Sequence, residues 1–168
     1  MNCVRTINNF TMKGIIMEEF FMKEALKEAQ KAYKCKEVPI GAVVVYKNKI
    51  IGRGYNLREK KNSALMHAEI VAISKACKKL KSWRLEDCEL YVTLEPCPMC
   101  AGAIIQSRIK KVFFGAYDPK AGCSGSVFDL FEKGKFNHDV EVTGGLLRED
   151  CAAILKTFFK ALRKVDKP

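Results

Sequence analysis

The run Tyr91–Arg108, YVTLEPCPMCAGAIIQSR, constrains this chain more than any other stretch. It reads as an apolar strand, Tyr91-Val92-Thr93-Leu94, then Glu95-Pro96, then a helix opening at Cys97. Cys97 stands at an N-cap position and Pro98 at the first helical position, where its missing N–H costs nothing. Cys97 and Cys100 are one helical turn apart, so both sulfurs leave the same side of the helix start. That end carries unpaired N–H groups and the positive pole of the macrodipole, which favours thiolate over thiol. Two thiolates aimed one way from a rigid helix end are half of a zinc site.

The other half lies upstream at His67-Ala68-Glu69, where the amphipathic run HAEIVAISKACKKL begins. His67 is one of 2 histidines in the chain. One His and two Cys give three protein ligands, and a catalytic zinc keeps its fourth position for water. Glu69, two residues beyond the histidine, is placed to carry protons beside that water. Each half has a plainer reading. A lone CxxC can be a redox pair or half of a four-cysteine structural site, and a first-turn Glu can be a macrodipole partner only. The two halves together, separated by a strand, and the lack of a second CxxC favour a catalytic metal held by His67, Cys97 and Cys100.

With 168 residues, 48% hydrophobic and 29% charged, the chain fits one globular domain rather than a disordered segment. Its Lys and Arg outnumber Asp and Glu 30 to 19, leaving +11, an excess that suits a polyanionic partner such as nucleic acid. No apolar run approaches the ~18 residues of a membrane span, and the N-terminus lacks the apolar core of a secretory signal. The 8 cysteines are therefore expected as reduced thiols in a cytoplasmic protein. Cys77, Cys88 and Cys151 read as core residues; Cys3, Cys35 and Cys123 read as loop or surface residues.

In chain order, residues 1–16 show no periodicity and are expected as a loose extension, leaving 17–168 as a single domain. The first helix is expected from Met17, with acids in its first turn and lysines toward its end. AVVVYK and IIGRGYN form a hairpin about Asn48-Lys49. The polar segment LREKKNSALM leads to the HAE helix, expected from about Ala68 to Lys79 with Ile70, Val71, Ile73, Ala76, Cys77 and Leu80 as its buried stripe. After the PCxxC helix come the strand KKVFFGA, the Gly- and Ser-rich loop YDPKAGCSGS, irregular DLFEKGKFNH, a short strand VEVTGG and a long final amphipathic helix. This order predicts an α/β fold, a mixed sheet of about five strands between two helix layers.

The chemistry of the site is metal-assisted hydrolysis, because bound zinc lowers the pKa of water from ~15.7 to about 7 and Glu69 can pass the proton on. H-x-E with P-C-x-x-C is the pattern of zinc nucleobase deaminases. HAEIVAI, YVTLEPCPMCAGAIIQSRIKKVFFGAYDPKAG and CAAILKTFF resemble the bacterial tRNA-specific adenosine deaminases of the cytidine-deaminase-like superfamily, over about Met17 to Phe159. The resemblance implies conversion of the wobble adenosine of a tRNA anticodon to inosine by a homodimer with one zinc per subunit. By position it makes His67, Cys97 and Cys100 the ligands and Glu69 the proton shuttle. It places Asn56 against the target base and Asp118 near the flanking nucleotides; the plainer readings are a strand-end residue and a turn ahead of Pro119.

Arg108, Lys110, Lys111 and Lys120 flank the site in sequence. Lys156, Lys160, Arg163 and Lys164 recur along the last helix with Phe158 and Phe159, as phosphate-attracting cations and base-stacking rings or else as a solvated face and core. One departure stands out: many family members carry Asp-Pro shortly before the histidine, where this chain reads Asn62-Ser63-Ala64-Leu65-Met66. The rivals are a deaminase of free guanine or cytosine, sharing both zinc motifs, and a zinc module that binds RNA without catalysis.

Overall fold

The computed structural model describes residues 9–165 of the chain. The elements run α1 (Asn9–Lys34), β1 (Gly41–Tyr46), β2 (Lys49–Tyr55), α2 (Arg58–Lys61), α3 (Ala68–Leu80), β3 (Cys88–Leu94), α4 (Pro98–Gln106), β4 (Lys111–Ala116), β5 (Glu141–Gly144) and α5 (Arg148–Val165). The strands form one mixed sheet in the order β2-β1-β3-β4-β5. β1 pairs antiparallel with β2 and β3, while β3–β4 and β4–β5 are parallel.

Strand side chains alternate between the two faces, and the sequence fills both with apolar residues because both are covered. Val43, Val45, Tyr91 and Phe113 face α1 and α5, which contribute Phe21, Met22, Ala25 and Cys151. Tyr91 stacks flat on Phe113, with ring centroids 4.7 Å apart. Ala42, Val44, Leu90, Val92, Val112 and Phe114 face α3 and α4, which contribute Ala68, Ala72, Ala76, Ala101, Ile104 and Ile105. The expected three-layer fold and five-stranded sheet are therefore present.

Several boundaries differ from the sequence reading. The first helix begins at Asn9, not Met17, so the expected loose stretch of residues 1–16 is helical from Asn9 onward; residues 1–8, with Cys3, lie outside the described residues. NFTMKGII contains no proline, and one internal glycine costs a helix only about 1 kcal/mol. Glu18 and Glu19 consequently fall in mid-helix rather than in the first turn. The hairpin turns at Lys47 and Asn48, with φ of 47° and 60°, the left-handed pair that matches strand twist. LREKKNSALM contains the short helix α2, which the sequence reading left as loop. Its start is capped from outside: the buried Glu37 carboxylate accepts the N–H groups of Glu59 at 3.3 Å and Lys60 at 2.7 Å.

The buried face of α3 is also rotated from the expected stripe. Ala68, Glu69, Ala72, Ile73 and Ala76 are buried, whereas Ile70, Val71, Cys77 and Leu80 are half-buried. The cause is β2, which presents Gly52 and Gly54 to the helix. A Cβ on either would strike the backbone of Ala72 or Ala68. α3 therefore lies unusually close to the sheet and buries alanines where a wider gap would take larger side chains. Cys123, expected at the surface, is 1% exposed, and Cys88 and Cys151 are buried as expected.

Candidate active site

α3 and α4 start beside each other at the end of the sheet where β3 finishes, the edge at which open α/β sheets bind ligands. His67 is the N-cap residue of α3, with extended backbone (φ −76°, ψ 155°), and Cys97 is the N-cap residue of α4 (φ −76°, ψ 172°). Both side chains leave the helices at the positive macrodipole end. Pro98 begins α4 where no intrahelical donor is needed.

The Nδ1 atom of His67 lies 3.6 Å from Cys97 Sγ and 3.5 Å from Cys100 Sγ. The three ligand atoms all fall within 4.8 Å of one another. Zinc in a tetrahedron, at about 2.3 Å to sulfur and about 2.0–2.1 Å to nitrogen, sets nitrogen–sulfur edges of about 3.6 Å. The donor set is one that zinc takes, and the two nitrogen–sulfur spacings match those edges. Without a cation the charges are shared unequally. Hydrogen bonds from Cys100 and then His67 pull Cys97 down to about 4 against its burial. The bond to Cys97, with burial, pushes the Cys100 thiol far upward. His67 is raised, chiefly by its bond to Cys97. A divalent cation at this point would replace one shared negative charge with two thiolates.

Glu69 sits in the first turn of α3 and is 4% exposed. Burial raises its carboxyl to about 6, in the range suited to a group that both accepts and returns a proton near neutrality. Glu69, His67 and Cys97 line a cavity of about 220 Å³ with Val38, Ile40, Asn56, Arg58 and Asp118. A wider hollow of about 420 Å³ beside β5 contains none of these groups; chemistry, not volume, selects the site.

Asn56 is 3% exposed at the end of β2. Its Nδ2 donates to the Val38 carbonyl at 3.3 Å, and its buried Oδ1 has no partner. An orphaned buried acceptor is costly, and here it lines the cavity. Asp118 lines the cavity too, but its Oδ1 accepts the N–H groups of Lys120 at 2.9 Å and Ala121 at 3.3 Å. These two bonds close its own turn.

The sequence reading passed over Glu95. This residue is 2% exposed and accepts the N–H groups of Asp118 at 3.0 Å, Ser124 at 2.9 Å and Ser126 at 3.2 Å, together with the Ser126 hydroxyl. Burial works against its charge, but these donors outweigh it and hold the carboxyl below its usual range. The available signal was an acid at a strand end, followed 27 residues later by the start of the donor-rich GCSGS.

The basic residues divide. Lys111 starts β4 and pairs with Glu141 at 3.1 Å. The parallel register puts it opposite Glu89, five residues before Leu94 and Ala116, so it stands about 17 Å from the site end of the sheet. Arg108 donates to Asn137 at 2.7 Å. Lys120, Lys156, Lys160, Arg163 and Lys164 are exposed. Phe158 is core at 6% exposure, stacked edge-on against Tyr33, whereas Phe159 is 44% exposed. Phe159, Lys120 and Asp118 line a neighbouring hollow of about 390 Å³. Among the described residues no helix is long and apolar enough to cross a membrane.

The MafB19-like deaminase family matches residues 16–163. A tRNA-specific adenosine deaminase of Bacillus subtilis (strain 168) is 55% identical over 150 residues, covering 89% of this chain and 93% of the relative. A structure from a study of A-to-I editing by tRNA:A34 deaminases at the wobble position superimposes with a TM-score of 0.78 at 43% identity, covering 81% of this chain and 99% of its own. A guanine deaminase from Nitrosomonas europaea shares the fold, with a TM-score of 0.70, 24% identity and coverage of 94% and 97%. With the family model matched over most of the chain and a relative 55% identical over 150 residues, this protein belongs to the MafB19-like deaminase family and to the tRNA-specific adenosine deaminases.

Proposed function

We propose that this protein hydrolyses the wobble adenosine of a tRNA anticodon to inosine, releasing ammonia, and that it does so with zinc. The observation that carries the chemistry is the buried Glu69 at the wall of a cavity shared with His67 and Cys97. His67, Cys97 and Cys100 would hold the metal, which when bound supplies a nucleophile from water at neutral pH. Glu69 takes the proton from the attacking water and delivers it to the departing amine, so that adenosine and water become inosine and ammonia. Asn56 offers its free Oδ1 to a donor on the nucleoside. The cavity of about 220 Å³ takes one base and no duplex, so the target nucleotide must be unpaired and turned out of its loop.

The substrate reading is supported by the name borne by the Bacillus subtilis relative and by the +11 charge. The exposed cations Lys120, Lys156 and Lys160 suit the phosphates of an anticodon loop. In the same reading residues 17–168 act as one deaminase domain, cytoplasmic and homodimeric. The homodimer rests on the resemblance of the sequence to the tRNA-specific adenosine deaminases.

The test is deamination of an anticodon stem-loop carrying adenosine at the wobble position, run beside free adenosine, guanine and cytosine. Inosine from the stem-loop alone is expected. Turnover of a free base with the stem-loop untouched would keep the hydrolytic chemistry and reject the RNA substrate. Glu69→Gln should lower kcat by about 10²–10⁴-fold with metal content and melting temperature retained; full function in that variant would leave a non-catalytic RNA-binding module.

A further inference from the structure

We propose that Glu95 is a positioning residue of this site: it fastens the Asp118–Ser126 loop, and with it one wall of the base cavity, to the turn that carries Cys97 and Cys100. This rests on the function proposed above. Glu95 lies two residues before Cys97, between β3 and α4, and its own N–H is fixed to the Ala116 carbonyl at 2.8 Å.

A carboxylate has about four lone-pair sites, and each oxygen of Glu95 is filled twice. Oε2 accepts Asp118 N at 3.0 Å and the Ser126 hydroxyl. Oε1 accepts Ser124 N at 2.9 Å and Ser126 N at 3.2 Å. No capacity is left for substrate, so Glu95 acts through what it holds. Cys123 N adds a bond to the Pro96 carbonyl at 2.9 Å. The loop packs directly on the carboxylate: a Cβ on Gly122 would collide with it.

The fastened loop carries Asp118 and Ala121, both lining the cavity, and Asp118 with Lys120 lines the adjoining hollow. This wall of the cavity thus comes from a segment of 117–126 with no helix or strand of its own beyond one isolated bridge at Ser124. Four of the bonds that tie it to the turn before Cys97 end on the Glu95 carboxylate, beside the one backbone bond from Cys123 to Pro96. Gln in place of Glu95 keeps the shape but turns an amide N–H₂ toward two of the four donors.

The experiment compares wild type, Glu95→Gln and Ser126→Ala as zinc-loaded proteins, by amide hydrogen exchange and by steady-state kinetics on the wobble-adenosine stem-loop. In Glu95→Gln the amides of 118, 124 and 126 should exchange at least about tenfold faster, with α4 protection and zinc content unchanged. KM should rise about tenfold while kcat stays within about threefold, the signature of lost substrate positioning. Ser126→Ala, which removes one donor and leaves the carboxylate, should shift both in the same direction by less, and it decides the matter if Glu95→Gln does not fold. Unchanged exchange and KM in the variants would overturn the proposal. So would a fall in kcat with loss of zinc at constant KM, which would place the role of Glu95 in α4 instead. If wild type fails on the stem-loop, the proposed substrate falls and the exchange measurement still judges Glu95.

Discussion

His67 Nδ1 lies 3.5 Å from Cys100 Sγ although the two residues stand 33 apart in the chain. Nothing local enforces that distance. It exists because α3 and α4 rest on the same face of one sheet and both begin at its β3 end, so a contact between two helix starts reports on the whole layer.

Metal removal should therefore be felt by the fold. A cation present at a thousand times its dissociation constant stabilises by about 4 kcal/mol. For a chain of this size that corresponds to a melting shift of roughly 8–16 °C. Calorimetry with and without a chelator should show that drop, and Cys100→Ser should melt at the chelated value and bind no stoichiometric zinc.

Asn56→Ala should separate binding from stability. The variant loses a 3.3 Å bond to Val38 but also removes a buried acceptor without a partner. The two effects oppose, so the melting temperature should move by no more than about 2 °C, while KM for the stem-loop rises about tenfold. A large fall in stability with KM unchanged would make Asn56 a strand-end residue only.

Two glycines give opposite signs. A Cβ at Gly54 meets the Ala68 carbonyl and lies 2.6 Å from Ala72 N, so Gly54→Ala should cost about 3 kcal/mol and lower zinc occupancy by shifting the start of α3. Gly14, within α1, has nothing within 4 Å, and Gly14→Ala should stabilise by about 1 kcal/mol. Urea unfolding of both variants checks the pair.

The pH dependence of stability should pass through Glu24. Its carboxyl is held below the usual range first by Lys27, against some burial, and then by Arg53, whose guanidinium lies 2.7 Å away. A depressed folded value gives stability that is complete above the unfolded value and is lost as pH falls through the folded one. Arg53→Met should cost about 1–2 kcal/mol at pH 7. The gap from wild type should narrow at an acid pH below the depressed folded value of Glu24, where the carboxyl is protonated with or without Arg53. An equal gap at both values would assign the loss to packing of the arginine stem.

The sequence by itself determined the five-stranded sheet, the order of its main elements and the grouping of His67, Cys97 and Cys100 at two helix starts. Strand and helix periods are local, and His67, Cys97 and Cys100 are marked by residue types that sit at helix starts for a short-range reason. Asn56 and Asp118 were legible through a resemblance, but their partners were not, and the family to which the chain belongs rests on comparison over most of its length. Only the tertiary structure decided the close seat of α3 on Gly52 and Gly54, the cap of α2 by Glu37, the placement of Lys111 far from the site and the burial of Phe158 beside an exposed Phe159. It alone showed Glu95 at the centre of the 117–126 loop. Those features depend on which face meets which neighbour across dozens of residues. A buried carboxylate takes its meaning from the donors around it, and those are assembled only when the chain has folded.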